Sequence, residues 1–316
     1  MLGYTRFFLA ILVVLSHFDI KFYGLDIGKF AVFCFFTLAG YVSVKILTQV
    51  FSFDSISFAK DRFLRIYPSY FITLTISYIF FLSTQYGNFD TNLLKVLLSY
   101  IIIPLNYVEF IDLYQIKVID DIYFAFLLPP FWSLGVEIQA YILLCLLLVF
   151  KKRKILRIFA FGSFAVFSLA NLGVFEKAYL FNYMLLPGNF FTFYLGVLLY
   201  ERNKKEIAIF VGCSLLQIFY IFTFDKIYGF SREAIFAIFF ILSIITLNQH
   251  FKFKAKYNFL MGNLSYHIFL NHFLFIYLSY FIFGHLDKVF VLLFSIITSA
   301  LFLKIDKIIN KYRIIK

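Results

Sequence analysis

The sequence predicts an all-α polytopic membrane protein, and its composition and its long apolar runs lead to this prediction. Of its 316 residues, 63% are hydrophobic and 15% are charged. A soluble domain usually has about 45–50% apolar and about 25% charged residues. Forty-nine Phe and 23 Tyr residues cannot all lie in one soluble core of this size. We therefore expect residues 1–316 to form one membrane domain with no appended soluble domain.

Ten runs are long and apolar enough to cross a bilayer, which takes about 20 residues of helix. They lie near residues 5–22, 27–48, 66–84, 130–150, 155–173, 181–200, 206–224, 232–249, 258–282 and 286–303. If the N-terminus is cytoplasmic, the inner segments hold 21 of the 29 Lys and Arg residues. Basic residues favour the cytoplasmic side, so about ten transmembrane helices with both termini cytoplasmic are predicted.

An eleventh run, residues 93–108, is shorter and contains Lys95 and Pro104. Counting it as a span would place four later basic segments outside the cell, against the positive-inside rule. We therefore predict that it forms an interfacial or re-entrant helix on the outer face. The net charge of +12 is expected to face the anionic lipid of the bilayer and not a nucleic acid.

The three cysteines lie within apolar runs and have no metal-ligand or disulfide spacing; they are Cys34, Cys145 and Cys213. A packing role is the interpretation that this pattern favours. We expect no metal site and no permanently bound cofactor.

The first span contains Arg6 and His17, although a charge near the bilayer centre costs about 2.5–3.5 kcal/mol. Eleven residues advance about 16 Å along a helix and about three full turns around it. The two side chains therefore share one face, with Arg6 at the cytoplasmic boundary and His17 at or beyond mid-depth. Arg6 alone is also explained as an interfacial anchor, and His17 as a polar residue near the outer end. A buried imidazole can also act as a base near neutral pH.

The stretch "FAKDRFLRIYP", residues 58–68, places Arg62 and Arg65 three residues apart on one helix face. Two neighbouring guanidinium groups suit a phosphate or a pyrophosphate. An ordinary basic cytoplasmic loop is the alternative. Tyr67 and Pro68 are predicted to open the third span.

Two further spans carry polar residues. "FWSLGVE" contains the only tryptophan, Trp132, with Ser133 beside it and Glu137 about a turn deeper in the membrane. An intramembrane Glu is costly unless it forms a salt bridge or has a function. "LSYHIFLNH" contains Ser265, Tyr266, His267, Asn271 and His272. A polar contact between helices is the alternative explanation for this second motif.

In their order along the chain, these motifs resemble the integral membrane acyltransferase-3 family, bacterial O-acyltransferases that modify surface and secreted glycans. The Arg-x10-His spacing and the "WSL-x-x-E" box are the most specific parts of a resemblance that runs from residue 6 to about 272. The family's basic motif, Phe-x-x-Arg-Arg-x-x-Arg, matches Phe58, Arg62 and Arg65, with Asp61 in place of its first Arg. Ala39 stands where the family often has Ser, and "GYTRFF" replaces its usual Asp-Gly-Leu-Arg.

The resemblance implies an enzyme that moves an acyl group, by default acetyl, from acyl-CoA to a hydroxyl of a cell-surface or secreted glycan. It places the protein in the bacterial cytoplasmic membrane. His17, Arg6 and Glu137 are then the catalytic candidates, with His17 as base or transient acyl carrier. Arg62 and Arg65 would bind the acyl-CoA donor. Glu137 is expected either to orient His17 or to bind acceptor hydroxyls.

Residues near the acceptor, a glycan or a lipid-linked saccharide, or supporting the catalytic groups, are expected to be Trp132, Ser133, Ser265, Tyr266 and His272. The main alternative is a transporter or flippase for a glycan or glycan precursor, since such proteins also use intramembrane charges. No internal repeat of the kind found in many transporters is evident. A scaffold subunit of an envelope assembly is the third class. Binding of acetyl-CoA would distinguish the enzyme from both alternatives.

Overall fold

The computed structural model describes residues 1–117, 127–251, 253 and 255–313, and it confirms the all-α polytopic class. Within these residues, nine helices are long and apolar enough to span a membrane, and a tenth, shorter apolar helix precedes them. The helices are α1 (Leu2–Ser16), α2 (Ile27–Gln49), α3 (Ser55–Thr84), α4 (Leu93–Ile101), α5 (Trp132–Val149), α6 (Arg153–Asn171), α7 (Leu186–Glu201), α8 (Lys204–Phe224), α9 (Ser231–Phe251), α10 (Asn258–Phe283) and α11 (Lys288–Ile309).

Short elements complete this helical framework. An antiparallel hairpin of β1 (Lys21–Phe22) and β2 (Leu25–Asp26) joins α1 to α2. One 3-10 turn, Ile103–Tyr107, follows α4, and another, Pro129–Phe131, leads into α5. A π-helical turn, Leu180–Met184, precedes α7.

The first helix is shorter than predicted. It has 15 residues and ends at Ser16, and His17 is its C-terminal cap. The predicted span to residue 22 is wrong because the chain leaves the helix for the hairpin, with Asp19 in the left-handed region at φ 58°. His17 therefore lies at the end of α1 and not in its interior.

The third helix is longer than predicted, with 30 residues beginning at Ser55. The Asp54 side chain caps it by accepting hydrogen bonds from the backbone of Ile56 and Ser57 at 3.0 and 3.2 Å. Pro68 lies inside the helix, so the prediction that Tyr67 and Pro68 open this span is wrong. A proline removes only one backbone donor, and the capped helix continues through it. The basic motif is consequently fixed on a helix.

Helices α1 and α10 pack side by side in parallel. At one end, the Gly3 amide donates to Asn258 Oδ1 at 2.8 Å. At the other end, the rings of His17 and His272 stack with centroids 5.3 Å apart. The interval from Gly3 to His17 equals that from Asn258 to His272, so the two helices stay in register along their length.

The segment after α3 is re-entrant, which is one of the two predicted possibilities. The hydroxyl of Tyr67 donates to the carbonyl of Ile101 at 2.9 Å. Tyr67 lies about 25 Å below the outer end of α3 by helix geometry. The chain then returns along α5, where the Tyr107 hydroxyl donates to Gln139 Oε1 at 2.9 Å. Backbone that is not helical is tolerated at this depth because other helices cover it.

Helices α2 and α7 cross at two glycines. A methyl group on Gly40 would lie 2.0 Å from the carbonyl oxygen of Phe193, and one on Gly196 would lie 2.2 Å from that of Thr37. Small residues allow helix backbones to approach closely in membranes. This crossing holds α2 in the centre of the bundle, against α1, α5 and α9.

We expect Gly40→Ala to destabilise the protein by about 1–3 kcal/mol, since the added methyl group overpacks a backbone contact. Gly212→Ala is the matched control, because nothing lies within 4 Å of its added methyl group. Thermal unfolding in detergent, followed by size-exclusion chromatography, measures both. Equal melting temperatures for the two variants would contradict the close crossing.

Candidate functional site

Three arginines from two helices line one cleft, which we call the arginine cleft. Arg6 comes from α1, and Arg62 and Arg65 come from α3. Glu137 and Tyr141, one turn apart on α5, also line the cleft. The cleft leaves a cavity of about 90 Å³. Arg313 of the basic C-terminal segment contacts Asp61 beside this cleft, and the predicted topology places that segment on the cytoplasmic side.

Two of these arginines are held by hydrogen bonds and ion pairs, Arg65 to distant parts of the chain and Arg62 to its neighbour Asp61. Arg65 donates to Asn263 Oδ1 at 2.8 Å and to the carbonyl of Gly262 at 3.3 Å, and lies 3.9 Å from Asp306. Arg62 donates through Nε to Asp61 Oδ2 at 3.1 Å. These contacts fix the two guanidinium groups at the edge of the cleft.

Arg6 differs from the other two arginines. Within the described residues, its guanidinium has no hydrogen bond or ion pair, although the Glu137 carboxylate is near enough to attract it electrostatically. The carboxylate of Glu137 accepts a hydrogen bond from the Tyr141 hydroxyl. Three guanidinium groups facing one carboxylate leave the cleft with a net positive charge. The arrangement therefore suits an anion with several charged oxygens.

His17 lines a second space, which we call the outer cavity. Asp19, Asp26, Lys29 and Trp132 are also in its wall. Asp26 caps α2 by accepting from the amides of Gly28 and Lys29 at 3.0 and 3.1 Å, and it is ion-paired with the Lys29 ammonium. The outer cavity thus combines carboxylates, an indole ring and an imidazole.

The imidazole of His17 stacks on that of His272 at an interplanar angle of 24°. Nδ1 of His272 lies 3.0 Å from the carbonyl oxygen of Ile268, which can only accept, so Nδ1 donates. Nε2 of His272 then carries a lone pair. His272 is 0% exposed, and this atom has no hydrogen-bond partner in the described part of the chain. The edge of Phe273 packs against His17 from another direction, with centroids 4.9 Å apart.

The arginine cleft and the outer cavity share two wall residues, Val32 of α2 and Phe269 of α10. Both are nearly fully buried. One apolar contact layer therefore separates the cleft that contains Arg6 from the cavity that contains His17. The two spaces lie at opposite ends of the same helix, α1.

The structure divides the residues singled out in the sequence between these two spaces. Those in the arginine cleft are Arg6, Arg62, Arg65, Ser133, Glu137, Ser265 and Tyr266. His17 and Trp132 line the outer cavity, and His272 lies against His17. Two other residues of the last motif make contacts with α11: His267 with Asp306 at 2.9 Å, and Asn271 with Ser299 Oγ at 3.2 Å. For those two, the contact between helices is the better explanation.

The position of Glu137 does not match the expectation that it orients His17. It lines the arginine cleft with Arg6, whereas His17 lines the outer cavity. Five helical residues separate Glu137 from Trp132, which moves it about 7.5 Å deeper and about 140° around α5. The indole and the carboxylate consequently face different spaces.

Sequence reasoning missed several members of the site. Tyr141 follows Glu137 by four residues, and this helical spacing was a usable signal. Asp26 and Lys29 carried the weaker signal of polar residues at the start of a span. Asp306 and Arg313, which contact the basic motif, lie in the basic C-terminal segment and carry no local signal of that role.

We expect Glu137→Gln to bind pyrophosphate about five- to tenfold more tightly, because it removes the negative charge among three guanidinium groups. Glu201→Gln, the same charge change on α7 outside the cleft, should leave the affinity unchanged. Isothermal titration calorimetry on the detergent-solubilised protein measures both. Weaker binding by Glu137→Gln would mean that the carboxylate holds the arginines in place.

Comparison with known proteins agrees with these features. Residues 2–305 match the acyltransferase-3 family, whose domain is described as an acyltransferase domain. A protein from Aquifex aeolicus (strain VF5), described as an uncharacterized protein, is 32% identical over 183 residues, which are 55% of this chain and 81% of that protein. No solved structure matches the chain. The match covers nearly the whole membrane domain, and the chain belongs to the acyltransferase-3 family of multi-pass membrane acyltransferases.

Proposed function

We propose that the protein transfers an acetyl group from acetyl-CoA to a hydroxyl of a cell-surface or secreted glycan, in the bacterial cytoplasmic membrane. One observation carries this proposal: Arg6 and His17 line adjoining spaces at opposite ends of α1, with Val32 and Phe269 between them. An anion site and a base are thereby linked through the membrane. A donor with charged phosphates and a thin neutral arm fits such a path.

The arginine cleft supports binding of the donor's phosphates. Guanidinium groups pair with phosphate oxygens through two parallel hydrogen bonds, and they stay charged at all physiological pH values. Arg6 is the group left without a partner in the described residues, so it can turn to the ligand. Arg62 and Arg65 retain donor N–H groups on fixed side chains. Donor entering here comes from the cytoplasm, where CoA is made available.

The outer cavity supports binding of a sugar acceptor. Carboxylates accept hydrogen bonds from hydroxyl groups, and the face of an indole packs against the apolar face of a sugar ring. Asp19, Asp26 and Trp132 supply these groups beside His17. A hydroxyl bound there lies next to the candidate base.

The chemistry then needs one proton transfer and one displacement. His17 takes the proton from the acceptor hydroxyl while the hydroxyl oxygen attacks the carbonyl carbon of the thioester. The new C–O bond forms, the C–S bond breaks, and the proton held by His17 passes to the departing CoA sulfur. Stacking on His272 holds the ring plane of His17, so the unprotonated nitrogen of His17 keeps a fixed direction.

A flippase also needs polar spaces on both sides of a membrane. The family match favours the transferase, because the matched domain is described as an acyltransferase domain. Unlike a flippase, a transferase consumes a donor and leaves a modified sugar. Purified protein in sealed vesicles separates the two activities. Glycan that crosses the membrane unmodified, with no use of acetyl-CoA, would support the flippase.

We expect His17→Ala to lower the turnover number of glycan acetylation by about 10²- to 10⁴-fold, the usual contribution of a general base. Its affinity for CoA should stay within twofold of the wild type, since the arginine cleft is intact. Acetyl transfer from labelled acetyl-CoA and calorimetric CoA binding measure the two effects.

His285→Ala is the matched control, because His285 is exposed beyond the end of α10. It should retain normal transfer. Unchanged transfer by His17→Ala at normal expression would remove His17 from the chemistry.

We also expect Val32→Phe to abolish transfer while CoA still binds, because a larger side chain closes the layer between cleft and cavity. The same substitution at Val289, which is 72% exposed on α11, should have no effect on transfer. The readouts are acetyl transfer and CoA affinity. Normal transfer by Val32→Phe would exclude a donor path between Val32 and Phe269.

A further inference from the structure

The C-terminal end of α11 contacts the basic motif of α3 through ion pairs. Asp61 is 1% exposed, and each of its two carboxylate oxygens accepts a hydrogen bond from a different arginine. Oδ2 accepts from Arg62 Nε at 3.1 Å, and Oδ1 accepts from Arg313 Nε at 2.9 Å. A single buried carboxylate therefore bridges the cleft arginine and an arginine that follows the last helix.

A second contact from the same end of α11 reaches the other cleft arginine. Asp306 lies 3.9 Å from Arg65 and 2.9 Å from Nε2 of His267. Arg313 is itself steadied by Asn310, whose Oδ1 accepts from Arg313 Nη1 at 3.1 Å. We call the pair of Asp306 and Arg313 the α11 clamp. Asp306 is an acidic partner for Arg65, and Arg313 is a second cationic partner for Asp61, which holds Arg62.

The charges of this arrangement explain why a second arginine matters. A buried carboxylate paired with Arg62 alone forms a neutral pair and holds that guanidinium away from other anions. With Arg313 added, the group of Asp61, Arg62 and Arg313 has a net charge of +1. Arg313 then neutralises the negative charge of Asp61, and the positive charge of Arg62 remains available to an anion in the cleft.

We propose that Arg313 is a positioning residue of the arginine cleft, which pairs with Asp61 so that Arg62 can bind an anion. This inference rests on the proposed function only in taking that anion to be the phosphate part of acyl-CoA. Asp61 replaces an arginine of the family's basic motif, and both residues of the α11 clamp lie beyond residue 305, where the family match ends.

The test is a double-mutant cycle with pyrophosphate as the probe and the full-length protein in detergent. Arg313→Gln should raise the dissociation constant about tenfold, because Asp61 then neutralises Arg62. Asp61→Asn added to Arg313→Gln should restore the affinity to within about twofold, since the uncompensated carboxylate is gone. Failure of the second change to restore binding would overturn the proposal.

Two further variants keep the result interpretable. Arg313→Lys retains the charge and should recover most of the affinity, even if Arg313→Gln folds poorly. Lys311→Gln removes an exposed cation from the same segment and should leave binding unchanged. If Lys311→Gln weakens binding as much as Arg313→Gln, the effect is one of total charge, and the assignment to Arg313 is wrong.

The outcome is separable from that of the proposed function. With acetyl-CoA as donor, Arg313→Gln should raise KM while the turnover number stays near normal, which a loss of folded protein does not produce. If the wild type binds pyrophosphate but neither binds nor uses acetyl-CoA, the proposed donor is wrong and the pyrophosphate cycle still decides the role of Arg313. If the wild type does not bind pyrophosphate, the positioning role itself fails.

Discussion

The parallel packing of α1 on α10 is the contact on which the other features of the site depend. Gly3 has no side chain, so the start of α1 lies directly against Asn258. The two helices then remain in register over their whole length. This register places the polar part of α10 near Arg6 at one end and stacks His272 on His17 at the other. A shift of one residue would turn both pairs of groups apart, because each residue rotates the helix face by about 100°.

Charge burial sets the second constraint on the bundle. An isolated charge inside a membrane is costly, so intramembrane ionisable groups are paired or functional. Asp61 holds Arg62, and Asp306 approaches Arg65, so both cleft arginines of α3 have acidic partners. Arg6 has no such partner among the described residues, and it faces the cleft. The difference between paired and unpaired guanidinium groups identifies which arginine is available to a ligand and which ones shape the space around it.

The separation of the two spaces follows from helix geometry. Trp132 and Glu137 are close in sequence but face opposite sides of α5, so one box contributes to both spaces. Val32 and Phe269 close the gap between these spaces with apolar side chains. Such an apolar layer excludes water and ions more strongly than it excludes a thin neutral chain. A transferase that acts across a membrane requires this selectivity. The re-entrant segment packs along α3 as deep as Tyr67 and contacts α5, and none of its described residues lines either space.

The sequence by itself determined the fold class, the approximate spans and the identity of most cleft residues. It could do so because hydropathy is a local property, and because a bilayer accepts little other than helices in a chain of this kind. The tertiary structure alone decided that α1 ends before His17, that Glu137 joins Arg6 instead of His17, and that Asp61 is balanced by Arg313. Each of these depends on contacts between helices far apart in the chain. Residue spacing fixes the face of one helix, but only packing decides which other helix that face meets.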